Sequence, residues 1–317
     1  MNTQALSNRN HLLATIAIAG LLGASSAADT ITVCLDGSCD FTDPAAAVQA
    51  AVNGDVIEIA AGTYLLDEAI SFYGVNAVLR GEVDRAGRPA TILDAQGNGQ
   101  VIGFVHTDST NRIENVQIVN GRADYGGGLF LSSAASVFQN CLIRDNAAGF
   151  RGGAMFLNGG SSPTFIDCLI VDNIASHETW NDGSGGAAWL SGDVVLTLID
   201  SEMRSNAAET LGGGIGMTST GEVILDNSRI CGNLASEDPG TSQIYGSGTI
   251  TMVAGCVDDS CDCVLNDPAD LNGDDAVNGA DLGLLLANWG QPGLGDLNGD
   301  DTVGGADLGL MLAAWSK

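Results

Sequence analysis

Gly127-Gly128-Leu129-Phe130-Leu131 opens a pattern that returns as Gly152-Gly153-Ala154-Met155-Phe156-Leu157, Gly185-Gly186-Ala187-Ala188-Trp189-Leu190 and Gly212-Gly213-Gly214-Ile215. Each round closes on an apolar–polar alternation ending in asparagine: Cys141 to Asn146, Cys168 to Asn173, Ser201 to Asn206 and Ser228 to Asn233. The asparagines are spaced by 27, 33 and 27 residues. Short period-2 runs with Gly and Asn turns at this spacing indicate stacked strands, a solenoid. Helical repeats of similar length would carry apolar residues at i, i+3 and i+4, and these do not.

Successive turns of such a coil stack at about 4.8 Å, so equivalent residues lie above one another. Asn146, Asn173, Asn206 and Asn233 are therefore expected to form a ladder of side-chain amides at a tight turn. The glycines let the backbone bend there with positive φ. On these motifs the chain resembles the right-handed parallel β-helix proteins, the architecture of pectate lyases and of many bacterial surface proteins. Upstream, Asp43-Pro44 followed by Ala45 to Val52 and Asn53-Gly54 predicts a short amphipathic helix. This helix is expected to cover the open apolar end of the coil. A strand over Asp55–Ala60 and a turn at Gly62-Thr63-Tyr64 follow, then strands at Ala77–Arg80, Thr91–Leu93, Val101–Val105 and Ile113–Val119.

The 317 residues carry 11 Lys plus Arg against 39 Asp plus Glu, a formal charge of −28, with eight cysteines, 44 glycines and 5% aromatics. The only lysine is Lys317. So acidic a chain argues against nucleic acid or an anionic membrane as partner and suits calcium. A polyanionic substrate would be repelled unless calcium bridged it. Arg9 and His11 precede an apolar run from Leu12 to Leu22, and Ala24 to Ala28 are small. Residues 1–28 thus read as a secretory signal peptide, with the mature chain extracellular or at the cell surface and holding no integral membrane segment. Cysteines in an exported chain favour disulfides. Cys34–Cys39 is a candidate local pair, and Cys141 and Cys168 either bridge adjacent coils or form a reduced stack. Cys231, Cys256, Cys261 and Cys263 suggest a clamp at the far end, with zinc as the rival reading.

The spacing between Asn173 and Asn206 is six residues longer than its neighbours. The extra length falls within Ile174–Ser184, which gathers His177, Glu178, Trp180 and Asp182. Loops on a rigid scaffold commonly carry binding and catalysis. Asp182 and Glu209 occupy the same register relative to the glycine pairs, and two such carboxylates can act as acid and base or nucleophile. A solvated acidic turn is the plainer reading. Arg122, Arg144 or Arg151 offers the basic group a lyase needs, and Arg151 with His177, Glu178 and Trp180 is the candidate substrate-binding set. Few aromatics are expected outside the core and helices, which disfavours a sugar-stacking cleft.

Near the C-terminus, Asp270-Leu-Asn272-Gly-Asp274-Asp-Ala276-Val-Asn278-Gly-Ala-Asp281 recurs as Asp296-Leu-Asn298-Gly-Asp300-Asp-Thr302-Val-Gly304-Gly-Ala-Asp307. Oxygen donors at positions 1, 3, 5, 9 and 12, with the carbonyl of position 7 (Ala276 or Thr302), match an EF-hand-type calcium loop. Gly304 leaves position 9 of the second loop without a side chain. Each loop leads into an apolar helical stripe: Leu282, Leu285, Leu286, Trp289, and Leu308, Met311, Leu312, Trp315. The duplicated loop–helix unit resembles a type I dockerin. The resemblance implies two calcium ions and docking to a cohesin-like module on another protein. Position 6, usually glycine, is Asp275 and Asp301 here.

The expected organisation is a signal peptide (1–28), a right-handed parallel β-helix domain (29–265) and a dockerin-like calcium-binding module (266–317). The expected function is that of a secreted, dockerin-tethered protein that binds or degrades polysaccharide, as a lyase or glycoside hydrolase if it is an enzyme. The alternative is a non-catalytic surface or adhesion scaffold with a calcium-stabilised tail.

Overall fold

A computed structural model describes residues 28–176, 183–218, 220–261, 268–272 and 276–315. The coil is a parallel β-solenoid in which every named strand pairing is parallel. One continuous pairing runs through Val56–Ile59, Val78–Gly81, Arg112–Glu114, Val137–Gln139, Thr164–Ile166 and Val195–Ile199. A second face runs from Gly62–Leu65 through Thr91–Asp94, Val116–Val119, Leu142–Arg144 and Leu169–Val171 to Glu202–Arg204. The ten-residue strand Glu222–Cys231 turns the corner between them and joins both into one 15-stranded sheet. A seven-stranded sheet and a five-stranded sheet complete the coil.

The corners follow from residues that tolerate left-handed backbone. Asn115, Asn140, Asp167, Asp200 and Asn227 have φ between 46° and 59° and stand between the first two faces. Asn115 therefore splits the expected Ile113–Val119 run into two strands. The expected turn at Gly62–Tyr64 is instead the strand Gly62–Leu65. Its Tyr64 points inward and donates its hydroxyl to the Val33 and Ala60 carbonyls. The first glycine of the opening round is Gly126, since Leu129 pairs with Met155 and both Gly126 and Gly152 have positive φ.

The asparagine ladder is built as the spacing requires. Each Oδ1 accepts both the backbone N–H and the Nδ2 of the asparagine one coil earlier, from Asn146–Asn173 through Asn173–Asn206 to Asn206–Asn233. Each Nδ2 also donates to a strand carbonyl: Ile118, Ile143, Ile170 and Met203 in turn. Gln243 ends the ladder by accepting the same two bonds from Asn233. Inside, Phe72 stacks on Phe104 at a centroid separation of 5.3 Å, Phe104 meets Phe138 edge-on at 5.4 Å, and Phe138 stacks on Phe165 at 4.5 Å.

Asp43 caps helix α1 (Pro44–Ala50) by accepting from Ala45 and Ala46, and Ala45, Ala47 and Val48 join the coil's core. Cys34–Cys39 and Cys231–Cys261 are disulfides and Cys256 is disulfide-bonded. Cys263 lies outside the described residues. Cys141 and Cys168 are free and buried, which selects the reduced stack. Two further helices, α2 (Gly279–Ala287) and α3 (Gly305–Ala313), bring Leu285 and Met311 together with Ala269, Val277 and Val303 in a separate small core. The apolar stripes are only half used: Leu286, Trp289 and Leu312 remain exposed. No helix among the described residues is long and apolar enough to cross a membrane.

Replacing Asn173 by Ala removes the acceptor of two bonds that Asn146 donates, from its N–H and its Nδ2, and leaves the Ile143 carbonyl without its amide. Buried groups stranded in this way cost about 1–3 kcal/mol each, so a loss of about 3 kcal/mol is expected. Urea unfolding of the purified chain measures it. A loss under about 0.5 kcal/mol would mean that water replaces the ladder bonds.

Candidate functional site

Strand alternation places one side-chain row on the outside of the seven-stranded sheet. The backbone registers align Ser71, Gly103, Phe130, Phe156, Trp189, Gly216 and Tyr245 in sequence across it. Their strand neighbours Leu129, Leu131, Met155, Leu157, Ala188 and Leu190 point inward and are fully buried. Phe130, Phe156 and Trp189 are absent from the coil's core cluster, so they form an external aromatic stripe. This corrects the expectation that few aromatics lie outside the core and helices.

Residues of the five-stranded sheet cover part of the stripe. Tyr125 stacks on Phe150 at 5.7 Å and meets Phe156 edge-on at 5.1 Å, while Phe130 stacks on Phe156 at 5.8 Å. Arg151 ends the strand Ala147–Arg151, and its guanidinium carbon lies 4.3 Å from the centroid of the Trp189 ring. The indole extends across Gly216, where a Cβ would come within 2.4 Å of ring carbon Cε3. The missing side chain at Gly216 is thus what lets the ring lie flat along the coil.

A groove of about 490 Å³ opens here, lined by Arg151, Ser184, Trp189, Thr210, Leu211, Glu237, Asp238 and Tyr245. The Ser184 and Thr210 hydroxyls share a 2.7 Å hydrogen bond, and Thr210 also donates to the Gly183 carbonyl. Tyr245 is 36% exposed, whereas Trp189 is 6% exposed and its Nε1 has no hydrogen-bond partner among the described residues.

Of the residues singled out in the sequence, Arg151 is in the groove. Glu209 is half-buried next to Thr210; its N–H donates to Ala175 and its carbonyl accepts from Glu237. Asp182, the expected partner of Glu209, lies outside the described residues, as do His177, Glu178 and Trp180. Arg144 is engaged by Asp145 and by Gln117, and Arg122 lines a separate polar groove with Asp94, Asn120 and Asp145. Trp189, Tyr245, Tyr125 and Phe150 were not singled out. The signal that could have found them is the alignment of Trp189 with Phe156 and Phe130 in the opening triplets.

The two C-terminal loops wrap around their last acid. Asp281, fully buried, accepts from the N–H groups of Asn272 and Asn278. Asp307, equally buried, accepts from Leu297, Asn298 and Gly304. Burial pushes both carboxyls up, and the backbone N–H donors outweigh it and hold them below the ordinary carboxylate range. Asp296 accepts from the N–H groups of Gly299, Asp300 and Asp301, which folds the start of the second loop back on itself. Asp274 lies outside the described residues. Glu202, Cys231 and Cys261 also cluster, but both sulfurs are committed to a disulfide and cannot ligate a metal as thiolates.

No protein-family model matches this sequence, and no curated protein matches it. Among solved structures, a pectin methylesterase from carrot is similar at 16% identity and a TM-score of 0.39, over 73% of this chain and 85% of that one. A pectin methylesterase from Aspergillus niger, in penultimately deglycosylated form, is similar at 14% identity and a TM-score of 0.38, over 74% and 87%. The likeness is one of solenoid architecture, which the strand registers establish on their own.

Gly216→Ala should push the Trp189 ring off the coil surface, because the new Cβ would meet the ring itself. A red-shifted tryptophan emission and a loss of about 1–3 kcal/mol are expected. Unchanged emission would mean that the indole does not lie across this strand.

Proposed function

We propose that this is an exported, right-handed parallel β-helix protein whose coil binds or degrades polysaccharide and whose C-terminal module is a calcium-loaded, dockerin-like tether for a cohesin-like partner. The observation that carries the tether is the pair of buried carboxylates, Asp281 and Asp307, each at position 12 of a duplicated loop. Residues 266–317 hold nine aspartates and no basic residue but Lys317. Among the described residues, the buried acids are met by backbone N–H groups and not by a cationic side chain. A buried, ionised carboxylate in such company fits a hard cation.

Asp270, Asn272, Asp274, Asn278 and Asp281 with the Ala276 carbonyl would hold one calcium. Asp296, Asn298, Asp300 and Asp307 with the Thr302 carbonyl would hold the second. Bound metal would neutralise the crowded acids and couple loop order to packing of Leu285 against Met311. The small core of five buried residues gives the module little stability of its own.

Helix α1, with Ala45, Ala47 and Val48 in the core, acts as the cap of the coil's N-terminal end. The groove beside Arg151 is the place where the coil would meet a glycan. It presents an aromatic floor, a cation and two carboxylates in one concavity. The second reading, a non-catalytic adhesion scaffold, draws on the ladder running unbroken from Asn146 to Gln243, which suits a stiff spacer.

Calorimetric titration of calcium into the chelator-treated full chain should give two sites, and Asp281→Asn and Asp307→Asn should each remove one. Chelation should lower helical circular dichroism while strand signal persists. No heat of binding, or a module equally helical with and without calcium, would sink the tether. For the coil, a panel of polysaccharides tested for binding and for new chain ends separates the two readings: no retention and no cleavage leaves the scaffold.

A further inference from the structure

We propose that the groove between Arg151, Trp189 and Tyr245 is a subsite for a neutral, hydroxyl-rich glycan. This deepens the polysaccharide reading and rests on it. Three observations meet there. The first is the Trp189 indole N–H, buried in the groove wall and without an acceptor among the described residues. Buried donors are nearly always satisfied, and a tryptophan N–H in a concave, part-wet wall is a natural donor to a ligand oxygen.

The second is Arg151. Its guanidinium lies over the indole and forms no ion pair among the described residues, in a chain with an excess of 28 negative charges. Stacking holds the group flat and leaves the edge of its N–H fork for acceptors. The third is the rest of the lining, where Glu237 and Asp238 set two formal negative charges against the single positive charge of Arg151. Donors and acceptors in one lining complement sugar hydroxyls, which both donate and accept.

Charge then decides the class of sugar. A glycan of uronates would bring repeated carboxylates to a lining that is net negative, on a strongly acidic chain, and would be repelled. A neutral glycan meets no such barrier. Tyr245 stands two strands beyond Trp189 in the same outward row, about 10 Å away at the usual strand spacing. Its exposed ring offers the stacking face that the covered indole does not.

Calorimetric titration of the full chain with xylohexaose, cellohexaose, mannohexaose and hexagalacturonate, each at low and high salt, tests the proposal. At least one neutral hexaose should bind with an affinity that salt leaves unchanged. Tyr245→Ala and Arg151→Met should each weaken it by about tenfold or more, in proteins whose circular dichroism matches the parent. Arg144→Gln, outside the groove, should have no effect. Preference for hexagalacturonate with affinity falling at high salt would overturn the neutral assignment. Neutral binding untouched by both groove variants would overturn the site and leave the polysaccharide reading standing. Binding of none of the four would overturn both.

Discussion

The structure depends on a side-chain amide that accepts two bonds and donates two. In the ladder, Asn173 takes both donors of Asn146 on one oxygen while its own nitrogen donates to Asn206 Oδ1 and to the Ile143 carbonyl. That exchange closes only if an asparagine recurs at the same height on the next coil. A carboxylate could accept but not donate, and a hydroxyl is too short to reach the neighbouring coil as well as the strand. The ladder therefore fixes the period, and other stacks inherit it. Phe138 and Phe165 inside, and the Cys141, Cys168, Ser201, Ser228 column, keep the same register. The six extra residues after Asn173 leave the ladder intact, since Asn173 and Asn206 still bond at 2.9 Å. Extra length is accommodated between the strand ending at Ala175 and the bridge at Ser184, where no ladder residue sits.

This is why the coil was legible in the sequence. Few residues can replace a ladder asparagine or a glycine such as Gly153, whose Cβ would lie 2.2 Å from the Gly186 carbonyl oxygen. Constraints that tolerate one residue type leave periodic marks. The outward face left none of comparable strength. Leu129-Phe130-Leu131 and Ala188-Trp189-Leu190 read as wholly buried triplets because the outward residue is as apolar as its inward neighbours. The alternation that normally separates two faces of a strand is erased where the outer face is itself aromatic. The strand at Gly62–Leu65 was missed for a related reason, since Gly62 and Thr63 suggest a turn until Tyr64 is seen reaching inward. In the C-terminal loops the acids were plain, but not that Val277 and Val303 would carry the packing while Trp289 faces solvent.

Two cores with different demands follow from this layout. The coil buries apolar residues at every level, so its stability is distributed along many similar steps. Among its described residues the loop–helix pair has five buried apolar residues, with a net negative loop on each side, so an intact chain does not ensure an ordered module. Under the tether reading, calcium supplies what the small core lacks, and the coil stays folded when the ion is withdrawn. Under that reading the outer face of the coil stays constant while the attachment responds to the ion.

The position of Arg151 shows how magnitudes choose between contacts. Glu237 and Asp238 share its groove, yet its guanidinium rests on an indole. An exposed ion pair is worth about 0–1 kcal/mol, because water screens it and two side chains must be ordered. A guanidinium against tryptophan gains about 0.5–1 kcal/mol when exposed and about 2 when desolvated. Trp189 is nearly covered, so the stacked arrangement competes on favourable terms even among carboxylates. It also holds the arginine on two rigid strands rather than on a loop, so its N–H edge is positioned before any ligand arrives. A guanidinium neutralised by a carboxylate would have to be released first, and that cost would count against binding. Stacking keeps the donor fixed, charged and available, which is what a subsite for hydroxyl-rich ligands requires.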